Sequence, residues 1–176
     1  MRVGRYARIG IGVVAVGVLG VGAAVVAGGN QRRFSERLEG YQEVPALSTD
    51  GSGSFRASLN SDGTELNYRL TFSDFDTPVL FAHIHFENAT NNGPVIVFLC
   101  GGGGKPACPP DGGTVTGTIV AADVGAFGTA AQGIAPGEFD EFVDALRSGA
   151  TYVNVHTDQF RGGEIRAQIE GDRGND

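Results

Sequence analysis

Hydrophobic and polar residues alternate over most of residues 34–171, a pattern typical of β-strands that bury one face. The stretch SFRASLNSDGTELNYRLTF, residues 54–72, contains two alternating runs joined by Ser61-Asp62-Gly63, which predicts a hairpin. Further strands are predicted over 34–38, 78–86, 94–100, 113–124, 151–157 and 163–171. The chain from residue 34 to residue 171 is therefore predicted to be built mainly from short strands.

One helix interrupts this pattern, in the stretch APGEFDEFVDALRSG at residues 135–149. Phe139, Phe142 and Leu146 recur at helical spacing, acidic residues fill the first turn, and Gly149 can end the helix. This apolar stripe indicates packing against the core. About eight strands and one short helix predict an all-β, antiparallel β-sandwich, with no internal repeat and no second domain.

The N-terminus has a different character. Arg2, Arg5 and Arg8 precede an apolar run at residues 9–27, which contains no charged residue. A basic start followed by an apolar run is typical of an export signal, and this run is also close to the length that spans a bilayer. We therefore expect residues 1–27 to be a cleaved signal peptide or a retained N-terminal membrane anchor, with the domain outside the cytoplasm in either case.

The composition narrows the classes of partner. The chain has 176 residues, with 13 basic and 20 acidic side chains and a formal net charge of -7. No basic cluster stands out along the sequence, so a nucleic-acid partner is disfavoured. A membrane contact is expected only through residues 9–27, if they are retained.

The two cysteines, Cys100 and Cys108, bracket the Gly-rich segment GGGGKPA. In an exported protein a short flexible loop of this kind can close into a disulfide bond. Two thiolate ligands for a metal ion are the alternative, which the lack of a nearby histidine makes weaker.

All three histidines of the chain fall on predicted strands. In the first strand Leu80, Ala82, Ile84 and Phe86 form one apolar face, which we assign to the core, while His83 and His85 share the other face with Phe81 and Glu87. In the later strand Val153 and Val155 form the apolar face, opposite Tyr152, Asn154, His156 and Asp158. The histidines are therefore predicted to lie on the sides of their strands that face away from the core.

Such a set can supply a three-imidazole metal site. His83 and His85, two positions apart on one strand, can both reach an ion that His156 also contacts, if the two strands are neighbours. Imidazole suits copper and zinc, and Glu87 or Asp158 could add a carboxylate ligand or orient an imidazole. The alternative is three polar strand residues with no shared role.

Four stretches carry a resemblance to a known family: LEGYQEVPALSTDGSGSF, AHIHFENATNNGPVIVFL, FDEFVDALRSG and TYVNVHTDQFRGGEIRAQI. Together they resemble the CHRD domain, the module named after chordin, from about Phe34 to Gly171. Ala46 departs from the second proline that the family usually has after Glu-Val-Pro. The resemblance implies an Ig-like or superoxide-dismutase-like antiparallel sandwich, and it supplies no catalytic residue.

These observations favour an exported, non-enzymatic protein that binds copper or zinc through His83, His85 and His156. A metal-free module that binds an extracellular protein or matrix partner is the alternative. A copper oxidoreductase like superoxide dismutase is a weaker one, since that enzyme needs more histidines than the three present. The expected organisation is a signal or anchor (1–27), a linker (28–33), the domain (34–171) and a polar tail (172–176).

Overall fold

The computed structural model describes residues 32–125 and 127–170. The predicted signal or anchor, residues 28–31 of the linker and the polar tail lie outside the described residues. Within those two ranges, no helix has the length and apolar character needed to cross a membrane.

The described residues form eight strands, one α-helix and three short 3-10 helices, at Gly40–Gln42, Ala121–Asp123 and Thr129–Gln132. The strands and the α-helix are named in chain order. They are β1 (Arg33–Glu39), β2 (Ser52–Leu59), β3 (Leu66–Ser73), β4 (Val79–Phe86), β5 (Val95–Cys100), β6 (Gly113–Ile119), α1 (Phe139–Arg147), β7 (Thr151–Thr157) and β8 (Ile165–Ile169). The strands form one sheet in the order β5-β4-β7-β8-β1-β2-β3-β6, and every pairing is antiparallel. The predicted all-β antiparallel class with one helix is confirmed, while its Ig-like or superoxide-dismutase-like topology stays a prediction.

The sheet curls so that its two edge strands, β5 and β6, approach each other. The disulfide bond between Cys100 and Cys108, which the sequence predicted, joins the end of β5 to the segment that leads into β6. The buried Tyr68 of β3 donates a hydrogen bond of 2.7 Å to the carbonyl oxygen of Leu99 in β5. The curled sheet therefore encloses its own core.

The core is formed by the alternating apolar positions that the sequence pattern identified. Phe55, Leu70 and Phe72 on β2 and β3 are almost completely buried, and Ala82 and Ile84 on β4 are fully buried. This burial supplies the main driving force for folding, since it removes large apolar surfaces from water.

Helix α1 covers part of this core with one apolar side. Phe142 and Leu146 are fully buried, while the acidic residues of the first turn are exposed. The chain leaves the helix at Gly149, whose φ of 73° lies in the left-handed region that glycine adopts without a steric penalty.

Strands β4 and β7 are buried on both sides, which the sequence did not predict. Every residue of β7 is buried, including those on the side away from the core. On β4 the predicted apolar face is confirmed at Ala82 and Ile84, whereas Leu80 and Phe86 are only half-buried. A register shift between Val79 and Phe81 interrupts the alternation at Leu80, and Phe86 is the last residue of its strand.

Replacement of Tyr68 by Phe tests the contact between β3 and β5. Burial raises the pKa of Tyr68 to about 12, so the hydroxyl is a proton donor at neutral pH. Its removal leaves the carbonyl of Leu99 without this donor, and we expect the free energy of unfolding to fall by about 1–2 kcal/mol in urea denaturation. Tyr41→Phe is the matched control, since that ring is 69% exposed. Equal stability of the two variants would contradict a role for the hydrogen bond.

Candidate metal centre

Strands β4 and β7 bring the three histidines together. On β4, His83 and His85 lie on the same side, and on the neighbouring β7, His156 pairs in register with Phe81. The candidate ligand atoms of these three residues all lie within 4.8 Å of one another. The strand faces assigned from sequence therefore place the histidines on a common side of the sheet.

This side of the sheet is not open to solvent. The exposed fractions of His83, His85 and His156 are only 6%, 8% and 6%. The β4–β5 loop (residues 87–94) and the β7–β8 loop (residues 158–164) reach the histidines by hydrogen bonds. The prediction that this face lies away from the apolar core is supported, but the histidines form a second buried layer.

Two backbone carbonyl groups orient two of the rings. The Nδ1 atom of His85 lies 2.9 Å from the carbonyl oxygen of Gly93, and the Nδ1 atom of His156 lies 3.0 Å from that of Arg161. A carbonyl oxygen can only accept, so in each neutral ring Nδ1 carries the hydrogen and Nε2 carries the lone pair. Backbone oxygens orient metal-binding histidines in this way in many proteins.

The third ring completes the cluster. The Nδ1 atom of His83 lies 3.2 Å from Nε2 of His156, so it donates to the lone pair on that ring. The buried Nε2 atoms of His83 and His85 have no hydrogen-bond partner among the described residues. Buried polar atoms are nearly always satisfied. The side-chain oxygens of Thr151, Asn154 and Gln168 are also unpaired among the described residues, but imidazole nitrogen is the donor that suits a copper or zinc ion.

Aromatic side chains form the walls of the cluster. The ring of Phe98 meets that of His83 edge-on at 4.4 Å between centroids, and Tyr152 stacks on His85 at 4.7 Å with an angle of 2° between the planes. Phe81 stacks on His83 at 5.6 Å. These rings exclude water from the imidazoles and provide no charge to balance a protonated ring.

Burial consequently keeps the imidazoles neutral. Removal from water, and secondarily repulsion from the other two histidines, lowers the pKa of His83 to about 3. Burial lowers the pKa of His85 to about 4, and it also lowers the pKa of His156. Neutral imidazole is the form that binds metal ions, so the cluster is ready to bind near pH 7.

Arg166 fixes the loop that covers His85. Its side chain is 1% exposed, and its guanidinium carbon lies 3.4 Å from the centroid of the Tyr152 ring. The guanidinium donates to the side-chain oxygen of Asn92 and to the carbonyl oxygens of Asn88 and Asn91, at 3.0–3.1 Å. The β4–β5 loop, which carries the carbonyl that orients His85, is thereby held over the site.

A second polar contact lies beside the cluster. Asn154, which pairs in register with His83, donates a hydrogen bond of 2.7 Å to the carboxyl group of Glu43. Burial raises the pKa of Glu43 to about 7, against the opposing effects of Asn154 and of the nearby Arg166. This contact ties the segment between β1 and β2 to the histidine side of the sheet.

Sequence reasoning missed Glu43 and Arg166 as parts of this layer. The signal for Arg166 was present, because it alternates with Ile165 and Ala167 and so lies on the face of β8 that points away from the core. Glu43 lies outside any strand, and its burial follows from the path of the segment between β1 and β2 rather than from a sequence pattern.

The two predicted carboxylates do not join the cluster of candidate ligand atoms. Asp158 is exposed and forms an ion pair with Arg161. Glu87 accepts a hydrogen bond of 3.0 Å from the backbone N–H of Asn88. A role for either residue as a metal ligand stays a prediction.

Replacement of Arg166 by Lys tests how the covering loop is held. An ammonium group keeps the charge but cannot donate to three oxygens of the loop while stacking on Tyr152. We expect the free energy of unfolding to fall by about 2–4 kcal/mol in urea denaturation. Arg147→Lys on α1 is the control, because Arg147 pairs with an exposed carboxylate, that of Asp144. A loss of stability no larger than that of the control would contradict this role of Arg166.

The lowered histidine pKa values predict a pH-dependent stability. Between about pH 4 and 6.5 the unfolded chain binds protons at His83 and His85 that the folded chain does not, so the free energy of unfolding falls as pH decreases. The pKa of His156 is also lowered, so this residue acts in the same direction. We expect a loss of about 1 kcal/mol per pH unit for each of His83 and His85, relative to a variant in which all three histidines are Gln. This comparison is needed because Glu36 and Glu43, whose pKa values are raised to about 7, act in the opposite direction between about pH 4.5 and 7.

Proton NMR of the imidazole rings provides the direct measurement. We expect the ring resonances of His83 and His85 not to titrate between pH 7 and about 5, because their folded pKa values lie below that range. Titration of all three rings near pH 6.5 would show that they are not held in the neutral form.

Comparison with known proteins connects this geometry to a family. The family model of the CHRD domain matches residues 34–169, which is more than half of the chain. A search of curated proteins and a search of solved structures each find no significant match. The matched region contains all eight strands except the first residue of β1, together with the three histidines and the disulfide. The chain therefore belongs to the CHRD domain family.

Proposed function

We propose that this CHRD protein binds one copper or zinc ion through His83, His85 and His156, outside the cytoplasm and without catalysing a reaction. The observation that carries the proposal is the convergence of three buried imidazoles, with ligand atoms within 4.8 Å of one another. Two of these rings are oriented by backbone carbonyl groups, and all three have lowered pKa values. Each of these features favours metal binding over three unrelated polar residues.

The donor set favours copper or zinc over harder cations. Imidazole nitrogen suits these ions, whereas magnesium and calcium prefer oxygen ligands. The cluster contains no carboxylate oxygen. A fourth ligand, where the ion needs one, would come from water or from a shift of Glu87 or Asp158.

The enclosure of the site supports a binding role rather than catalysis. Loops and aromatic rings cover the histidines, which leaves little room for a substrate beside the ion. Within the part of the chain that the structure describes, one group of metal-binding side chains is found. That arrangement does not supply the paired metal sites of a copper–zinc superoxide dismutase, so a role in holding or delivering the ion fits better.

Three features support an extracytoplasmic location. The disulfide between Cys100 and Cys108 is a bond that persists mainly in oxidising compartments. The basic start and apolar run of residues 1–27 have the character of an export signal or anchor. CHRD domains are also typical of extracellular proteins.

Metal analysis of the purified protein tests the proposal. After incubation with Zn(II), with Cu(II), or with Cu(I) under reducing conditions, and removal of excess metal, we expect about one ion per chain for at least one of these ions. His83→Gln, His85→Gln and His156→Gln should each weaken binding by more than about 100-fold, because each removes one of three ligands.

Glu87→Gln and Asp158→Asn test whether either carboxylate supplies the fourth ligand. Glu141→Gln, on the exposed side of α1, is the matched control and should keep the ion. Circular dichroism of every variant shows whether the fold is kept. Two results would rule out the three-histidine site. One is wild-type protein that retains none of the tested ions, and the other is folded histidine variants that bind metal as well as the wild type.

A further inference from the structure

The outward side of the β1-β2-β3-β6 half of the sheet carries only polar and charged side chains. Its outward positions alternate with the core positions of the same strands. They are Arg33, Ser35, Arg37 and Glu39 on β1, Ser52, Ser54, Arg56 and Ser58 on β2, Asn67, Arg69, Thr71 and Ser73 on β3, and Thr114, Thr116 and Thr118 on β6. We call this set the arginine face.

Strand register gathers arginines that are far apart in sequence. Arg56 of β2 pairs directly with Arg69 of β3, and Ser35 of β1 pairs with Arg56 from the other side. Arg33 and Arg37 lie two residues to either side of Ser35 on β1. Four of the nine basic residues in the described chain therefore lie on one side of three adjacent strands.

This arrangement is unfavourable for the isolated domain. Like charges directly opposite each other on antiparallel strands repel, with Cβ atoms about 4.5–5.5 Å apart. The ion pairs found among the described residues do not involve Arg37, Arg56 or Arg69. Three arginines without an ion pair to the described residues, on one side of a chain of net charge -7, indicate an anionic partner.

Acidic residues are few on this side. Glu39 is the one acid of the arginine face and lies in the end row, opposite Ser52. Glu36 is half-buried, and its carboxylate accepts a hydrogen bond from the backbone N–H of Glu170. The central rows of the face therefore combine arginines with hydroxyl groups and no carboxylate.

We propose that the arginine face binds an anionic polysaccharide through the carboxylate or sulfate groups of the polymer. The planar guanidinium group donates two parallel hydrogen bonds to such groups. The hydroxyl of Ser35 lies between Arg33 and Arg37 on β1 and opposite Arg56. The hydroxyls of Ser54 and Thr71 pair with each other, two residues from Arg56 and Arg69, so all three can contact sugar hydroxyls. An extended sheet surface suits an extended polymer.

Two other anionic partners fit this face less well. A membrane surface is usually bound with apolar side chains that enter the lipid, and the outward positions of these four described strands hold none. Single-stranded nucleic acid is usually bound by aromatic side chains that stack on bases, and these positions hold none of those either. The arginine face is also built from other strands than the histidine cluster, so the two proposals are independent.

Binding to defined polymers tests this proposal on the purified full chain. The probes are dextran sulfate and polygalacturonate, with neutral dextran as the uncharged control. We expect at least one anionic polymer to bind, with affinity that falls as salt rises, and neutral dextran not to bind. Arg56→Gln/Arg69→Gln should weaken binding by at least about tenfold.

Arg147→Gln/Arg161→Gln is the matched control, because it removes the same charge from outside the arginine face. It should change the affinity by less than about twofold. The thermal midpoint of Arg56→Gln/Arg69→Gln should be unchanged or higher, since the substitution relieves repulsion between the two strands. A folded variant with weakened binding therefore cannot be explained by loss of structure.

Three outcomes would overturn the proposal. They are no binding of either anionic polymer by the wild type, equal weakening by both double variants, or binding of phosphatidylglycerol vesicles or single-stranded DNA in place of the polysaccharides. The first would leave the arginine face without this ligand, the second would make the effect one of overall charge, and the third would assign the face to a different partner.

Discussion

The burial of β4 and β7 on both sides is the constraint on which the rest of the structure depends. One side of each strand packs in the apolar core through Ala82, Ile84 and Val155, as in any one-sided sheet. The other side carries histidine, tyrosine and asparagine, and loops cover it. Polar groups that leave water must find partners inside the protein, and the contacts around the histidines follow from that requirement.

The buried polar layer satisfies this requirement mostly through backbone groups. Gly93 and Arg161 provide carbonyl oxygens for two imidazoles. The guanidinium group of Arg166 donates hydrogen bonds to three oxygens of the β4–β5 loop. The two nitrogens that remain without a described partner both belong to the histidine cluster. Three buried side-chain oxygens, those of Thr151, Asn154 and Gln168, also have no partner among the described residues. The two unpaired imidazole nitrogens are the atoms of this set that a copper or zinc ion prefers.

Much of this fold could be predicted from the sequence, because alternation and helical spacing report directly on burial. Alternation located the strands and assigned Ala82 and His83 to opposite sides of β4, and the spacing of Phe139 and Phe142 located the helix. The cover over the histidines could not be predicted, since it depends on loops whose paths are set by tertiary contacts such as those of Arg166. The Cys100–Cys108 disulfide was predictable from its short loop and the expected compartment.

The arginine face is a second feature that could not be predicted from the sequence. The sequence showed no basic cluster, because its arginines are separated by up to 36 positions, from residue 33 to residue 69. Only strand register brings Arg56 and Arg69 side by side. A charge pattern read along the chain therefore misses a patch that is assembled across strands.

The lengths and paths of the loops account for the difference between the two halves of the outward side of the sheet. Strands β2 and β3 are joined by the short turn at residues 60–65, which has no chain to fold back over its strands, so the outward arginines stay in solvent. Strands β4 and β5 are joined by residues 87–94, and Arg166 draws that longer segment over the sheet. The same alternation of side chains thus produces a charged surface in one half of the sheet. In the other half it produces an enclosed set of neutral imidazoles, because burial there removes the water that would stabilise their charged form.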